Sequence, residues 1–311
     1  MEEQRPMYPF KLEGPAPSPE TVNILDRRFR SICLDWSNVV DVTLAAVTVD
    51  ECLELFRQGR QVGCCDLQVQ AGNHGYPIPD RPILHEGIER MDISFWGDDG
   101  LAPQLFDKIA FPSLAHLENS PGQTRHTSID SPAAFFSRSA CLVHHVKLSR
   151  LQVSVADVIR VLQTLPTVQF LHLFDITLTE EFFNFIKETN VISGVGDCFL
   201  PCLETLCFSG PRQYSWTLVQ RLIPLFSPSP EEDQVLRLWR ELEIGVLEEG
   251  PDRTFIDEDT IAYFDNLGRR GIRANVEDLT SGGDYIKDSR EYHNRRQQGE
   301  HTGAEHRQDD D

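Results

Sequence analysis

One six-residue phrase, apolar-x-x-apolar-x-apolar, recurs along this chain and limits what it can fold into. It begins at Val39, Val62, Ile88, Leu114, Val143, Val168, Leu203 and Trp239, at intervals of 23, 26, 26, 29, 25, 35 and 36 residues. Its second half alternates apolar and polar residues, the period of a half-buried strand. Behind each phrase comes a stretch with apolar residues at helical spacing, such as Val49, Cys52, Leu53 and Phe56. A unit of this size cannot bury its own apolar face, so neighbouring units must stack to make one core.

A period in the twenties with this phrase predicts an α/β fold, a leucine-rich-repeat-like solenoid of strand-helix units with a parallel concave sheet. The array is expected over residues 31–280. Residues 1–30, rich in Pro and Glu, are expected to be irregular and to serve as a cap, with a helix starting near Pro19. Helices are expected at Thr48–Gln58, Gly100–Ile109, from Ser131, from Ser154, from Thr179, at Ser215–Leu225 and at Asp257–Leu267, with Ser, Thr or Asp at several starts. A last strand is expected from Ile272. Phe111-Pro112, Leu165-Pro166 and Leu200-Pro201 repeat a helix-Pro-strand junction, because Pro ends a helix and costs no ladder bond at a strand's first position. Longer interruptions fall at 71–86, 119–130, 190–199 and 227–234. Residues 281–311 hold only Tyr285, Ile286 and Tyr292 as bulky apolar residues and are expected to be a disordered acidic tail.

A formal charge of -20, from 49 acids against 29 bases, argues against nucleic acid and against an anionic membrane surface. It favours a protein partner of basic character. No apolar run approaches the ~18 residues of a membrane span, and the polar start is unlike a signal peptide. The eight cysteines sit mostly inside strand or helix phrases, as reduced thiols of a cytoplasmic or nuclear protein do.

The third and fifth positions of each phrase should leave the core and face the concave side. The third-position column reads Asp41, Cys64, Arg90, His116, His145, Phe170, Thr205, Glu241; the fifth reads Thr43, Asp66, Asp92, Glu118, Lys147, His172, Cys207, Glu243. The partner-binding residues expected are Asp66, Arg90, Asp92, His116, Glu118, His145, Lys147, Phe170 and His172. Asp66, Asp92 and Glu118 should form a run of like charges; a solvated acidic stripe is the plainer reading. Phe170 is the candidate anchor, as an aromatic side chain on a polar sheet. No cofactor or metal is expected: His116, His145 and His172 are sparse beside ordinary metal-ligand clusters, and neither Cys64-Cys65 nor Cys198/Cys202 has zinc-ribbon spacing. No catalytic motif is present, so no enzyme is expected.

Trp36 to Leu44 followed by Thr48 to Gln58, then Phe111-Pro112 to Leu117, Leu165-Pro166 to Leu173 and Leu200-Pro201 to Leu206, resemble the F-box proteins with degenerate leucine-rich repeats of mushroom-forming fungi. The resemblance covers roughly residues 30–280. It implies the repeat fold and a recognition role. It also implies, as the alternative to a stand-alone binding module, a substrate receptor of an SCF-type ubiquitin ligase that contacts ligase components. No F-box is recognisable in the residues before Ser31.

Overall fold

The computed structural model describes residues 16–25, 29–97, 100–121, 130–150, 153–192, 199–223, 239–247 and 254–305. Strands and helices alternate in a mixed α/β structure of two compact units, Met1–Val168 and Gln169–Asp311. Among the described residues, no helix is long and apolar enough to cross a membrane.

The first unit holds strands β1 (Thr21–Ile24), β2 (Asp41–Thr48), β3 (Cys64–Gln70), β4 (Ile83–Leu84), β5 (Arg90–Trp96), β6 (Ile109–Ala110), β7 (His116–Pro121) and β8 (His145–Ser149). Its helices are α1 (Val49–Gln58), α2 (Leu101–Phe106), α3 (Asp130–Ser139) and α4 (Val155–Leu162). The sheet runs β1-β2-β3-β5-β7-β8, every pair parallel. β4 and β6 make a separate parallel pair. Period-two alternation buries Cys65, Leu67 and Val69 on β3 and Met91, Ile93 and Phe95 on β5. The helices supply the facing layer through Leu53, Phe56, Leu105, Phe106 and Phe135. Phe111 joins them, edge-on to Phe56 and Phe135. Full burial of each such side chain contributes about 1.5–3 kcal/mol.

Two local departures shape this sheet. Asn119 is buried in register with Ile93 and Leu148, at a place where its neighbours carry apolar side chains, and its Oδ1 meets no hydrogen-bond donor. That substitution is why the phrase from Leu114 is degenerate. Ala46 has φ 59, and the β2–β3 register shifts between Leu44 and Val47. The extra residue is a bulge, and Ala46 O accepts a bond from Gln70 Nε2 at 2.8 Å.

The second unit holds β9 (Phe170–Phe174), β10 (Thr205–Pro211), β11 (Glu241–Leu247) and β12 (Arg273–Asp278) in parallel order, with β13 (Gly283–Asp284) antiparallel on β12. Its helices are α5 (Glu180–Ile192), α6 (Trp216–Val219), α7 (Glu258–Arg269) and α8 (Tyr285–Glu305). Gly210 has φ +145, and a Cβ there would meet Ile176 O at 2.9 Å, so only glycine fits.

Helix starts follow the side-chain caps. Ser154 Oγ accepts from Asp157 N at 3.2 Å, and Asp257 Oδ1 accepts from Thr260 N at 2.8 Å. Two expectations are corrected. Residues 21–24 are not irregular or helical but form edge strand β1, because Val22 and Ile24 alternate inward and pair with Val42 and Leu44. Residues 283–305 are not a disordered tail but form β13 and α8, held by Tyr285, 1% exposed, and by fully buried Ser289. The remainder of the expected tail, 306–311, lies outside the described residues, as do residues 1–15 and the interruption at 227–234.

Candidate functional site

The face of the first unit's sheet opposite its buried layer carries the two expected columns. Asp41, Cys64, Arg90, His116 and His145 stand in register across β2, β3, β5, β7 and β8. Thr43, Asp66, Asp92, Glu118 and Lys147 do the same two residues further on. Strands β9–β11 align Phe170, Thr205 and Glu241, and His172, Cys207 and Glu243. Phe170 and His172 thus belong to the second unit, where the His172 ring stands edge-on to Phe174 at 5.9 Å.

Asp66, Asp92 and Glu118 are directly opposite one another on adjacent strands, an arrangement that repels. Basic groups interleave with them. Arg90 donates to Asp92 Oδ2 from Nε at 3.1 Å and from Nη2 at 2.8 Å. Lys147 Nζ donates to Glu118 Oε2 at 3.2 Å. His116 and His145 stack with ring centroids 3.9 Å apart and planes 14° apart. The other Glu118 oxygen, Oε1, lies 3.1 Å from His116 Nε2 and 3.8 Å from His145 Nε2. Asp92 Oδ1 lies 3.5 Å from His116 Nε2 and is buried without a hydrogen bond.

The titration behaviour follows from these contacts. Burial raises the Asp66 carboxyl, and repulsion from Asp92 adds to it. Burial also opposes ionisation of Glu118, but Lys147 and His116 outweigh it and hold that carboxyl below its usual range. Burial and the adjacent His116 push the His145 imidazole down to about 4. The unfolded chain takes up this proton near pH 6.5, the folded chain only near 4. Between these values the unfolded state binds more protons, so stability falls as pH falls. Allowing for partial exposure, His145 should account for about 1–2 kcal/mol of that loss. Urea unfolding of metal-stripped protein from pH 7 to pH 4 checks this: His145→Asn should flatten the slope, and an unchanged slope would show that His145 is not its source.

A second polar cluster was not anticipated, because α1 reads as an apolar stripe. Asp50 and Glu51 are buried at its first turn. Glu51 accepts from Phe29 N at 3.0 Å and Thr48 N at 3.2 Å, and His74 Nδ1 lies 2.8 Å away. Asp50 accepts from Thr48 Oγ1, His74 N and Tyr76 N at 2.5, 3.0 and 2.9 Å. The available signal was Thr48 followed three residues later by Glu51, a capping-box spacing. This cluster ties chain segments together. The cleft lined by Phe56, Arg57, Arg60, Leu84 and His85 is also committed: His85 bonds Gly59 O at 2.9 Å and accepts from Gly87 N at 3.2 Å.

No protein-family model matches this sequence, and no curated protein matches it.

Proposed function

We propose that the protein is a recognition module, a leucine-rich-repeat-like solenoid that binds a basic protein segment on the polar face of its first sheet. The observation that carries this reading is the row Asp66, Asp92 and Glu118, three carboxylates in register on adjacent strands. The row costs folding energy; burial raises the Asp66 carboxyl first, and repulsion from Asp92 adds to it. A lysine- or arginine-rich segment would relieve it and would be steered in by the acidic charge. The sequential order of parallel strands supports the repeat reading. Each main strand of the first unit lies beside the next one in the chain, with a helix between β2 and β3, β5 and β7, and β7 and β8. Such a sheet offers an extended surface.

The test is binding of lysine- and arginine-rich peptides against acidic counterparts at low and physiological salt. The triple variant Asp66→Ala, Asp92→Ala, Glu118→Ala removes three charge pairs of about 0.5–1 kcal/mol each. It should weaken a basic peptide by about tenfold to a hundredfold. Equal affinity for acidic peptides, or a triple variant that binds like the parent at low salt, would overturn the proposal. The resemblance to F-box proteins also implies ligase components as partners. The described residues before β2 hold one strand and two short 3-10 turns, so the surface put forward is the sheet face alone.

A further inference from the structure

We infer that His116, Glu118 and His145 form a binding site for a borderline divalent transition-metal ion, of which zinc is the type. His116 Nε2, His145 Nε2 and Glu118 Oε1 lie within 4.8 Å of one another. Zinc bonds to imidazole nitrogen and carboxylate oxygen are about 2.0–2.2 Å, which sets tetrahedral ligand atoms about 3.4 Å apart. The carboxylate-to-imidazole separations of 3.1 and 3.8 Å bracket that value. The two rings are stacked and near-parallel, with centroids 3.9 Å apart, so both would have to tilt toward each other for their Nε2 lone pairs to meet one ion.

The surroundings favour a cation there. The nearby bases hydrogen-bond the other carboxylate oxygens: Lys147 takes Glu118 Oε2 and Arg90 takes Asp92 Oδ2, while Arg90 Nη2 stands 4.0 Å from Glu118 Oε1. The two inner oxygens, Glu118 Oε1 and Asp92 Oδ1, are left facing His116 Nε2 at 3.1 and 3.5 Å. Asp92 Oδ1 is the second, independent pointer: it is a buried carboxylate oxygen without a hydrogen bond, 3.5 Å from His116 Nε2, and an added cation would satisfy it. Asp92 would act as a supporting group beside His116. The imidazoles would bind as neutral rings. The side chains of His116, Glu118 and His145 are 20%, 24% and 28% exposed, enough to admit an ion and leave a coordination position open to solvent. Strand pairing fixes the geometry, because His116 and His145 are register partners on β7 and β8 and Glu118 is two residues along on the same face. The site stands on these atoms and needs no basic partner.

The experiment titrates the metal-stripped full chain with zinc by calorimetry, and with cobalt while following histidine ring signals by NMR. One zinc per chain is expected to involve this site, with cobalt selectively shifting and broadening the His116 and His145 rings. His116→Asn and His145→Asn should each weaken zinc by more than the about 10–100-fold that losing a supporting group costs. Asp92→Asn should fall within that supporting range, and Lys147→Met should leave zinc as tight or tighter. The inference is overturned if millimolar zinc gives no binding. It is equally overturned if the double His→Asn variant binds within threefold of the parent, or if cobalt perturbs other residues, such as exposed Cys33 and Cys202 or half-buried His293, instead of these rings. The NMR readout on the unsubstituted chain decides the matter even if a variant fails to fold.

Discussion

Glu51→Ala is expected to destabilise the first unit by about 3–5 kcal/mol, the cost of breaking a buried ionic cluster from one side. The Glu51 side chain is fully buried and holds three segments at once. It accepts the Thr48 N–H that opens α1 and the Phe29 N–H from the chain before β2, and it lies against His74 from the loop after β3. Alanine leaves both amides without acceptors, at about 1–3 kcal/mol for each buried orphan. It also removes what holds the Phe29 ring on Trp36, with centroids 4.8 Å apart, and edge-on to Tyr76 at 6.0 Å. Glu51→Gln keeps the shape but turns an amide N–H toward one donor, so an intermediate loss of about 1–2 kcal/mol is expected. Chemical unfolding gives the magnitude. Hydrogen exchange gives the location, with faster exchange at Phe29, Thr48 and residues 74–76. A Glu51→Ala loss below about 1 kcal/mol, the ordinary size for a surface change, would show that water replaces the carboxylate there.

That cluster also shows where reading the sequence by pattern succeeds and where it stops. The two polar columns of the first unit were legible residue by residue, because a strand's side chains alternate strictly and a one-residue slip would expose every core residue. The repeated phrase therefore carried register as well as strand identity from Asp41 to Lys147. What the pattern could not supply was contact between side chains. His116 and His145 occupy one column in the sequence reading; that their rings stack over a shared carboxylate depends on rotamers. His172 shares the polar alternation but lies in the other unit. Asp50 and Glu51 were overlooked because acids in a helix's first turn are usually solvated ornaments of the dipole, and here neighbouring loops cover them. β1 was overlooked because only four residues between Pro19 and the following polar residues carry it, too short a run to assert a period.

The C-terminal helix was overlooked for a different reason, and Tyr285 tests it. Counting bulky apolar residues makes 281–305 look unable to order, yet helical spacing brings Tyr285, Ser289, Tyr292 and His293 to one side of α8. Tyr285 packs on Trp216 with centroids 5.7 Å apart and donates from its hydroxyl to Thr254 O at 3.1 Å. Ser289 Oγ accepts from Ile256 N at 3.1 Å and donates to Tyr285 O at 2.7 Å. Tyr292 stacks on Phe255 at 4.1 Å, and His293 Nε2 pairs with Ile256 O at 2.8 Å. The helix is thus fastened both by ring packing and by hydrogen bonds to one extended segment, Thr254–Ile256. Tyr285→Ala should cost about 3–5 kcal/mol, as truncating a fully buried aromatic does. Tyr285→Phe should cost about 1 kcal/mol, the net value of the hydroxyl bond. Because most helical stability in proteins comes from tertiary packing, the alanine variant should also release α8: exchange protection should disappear from residues 285–296 while β9–β11 keep theirs. If protection of α8 survives Tyr285→Ala, the helix is held by Ser289, Tyr292 and His293, and the anchor must be moved to the Thr254–Ile256 segment they share.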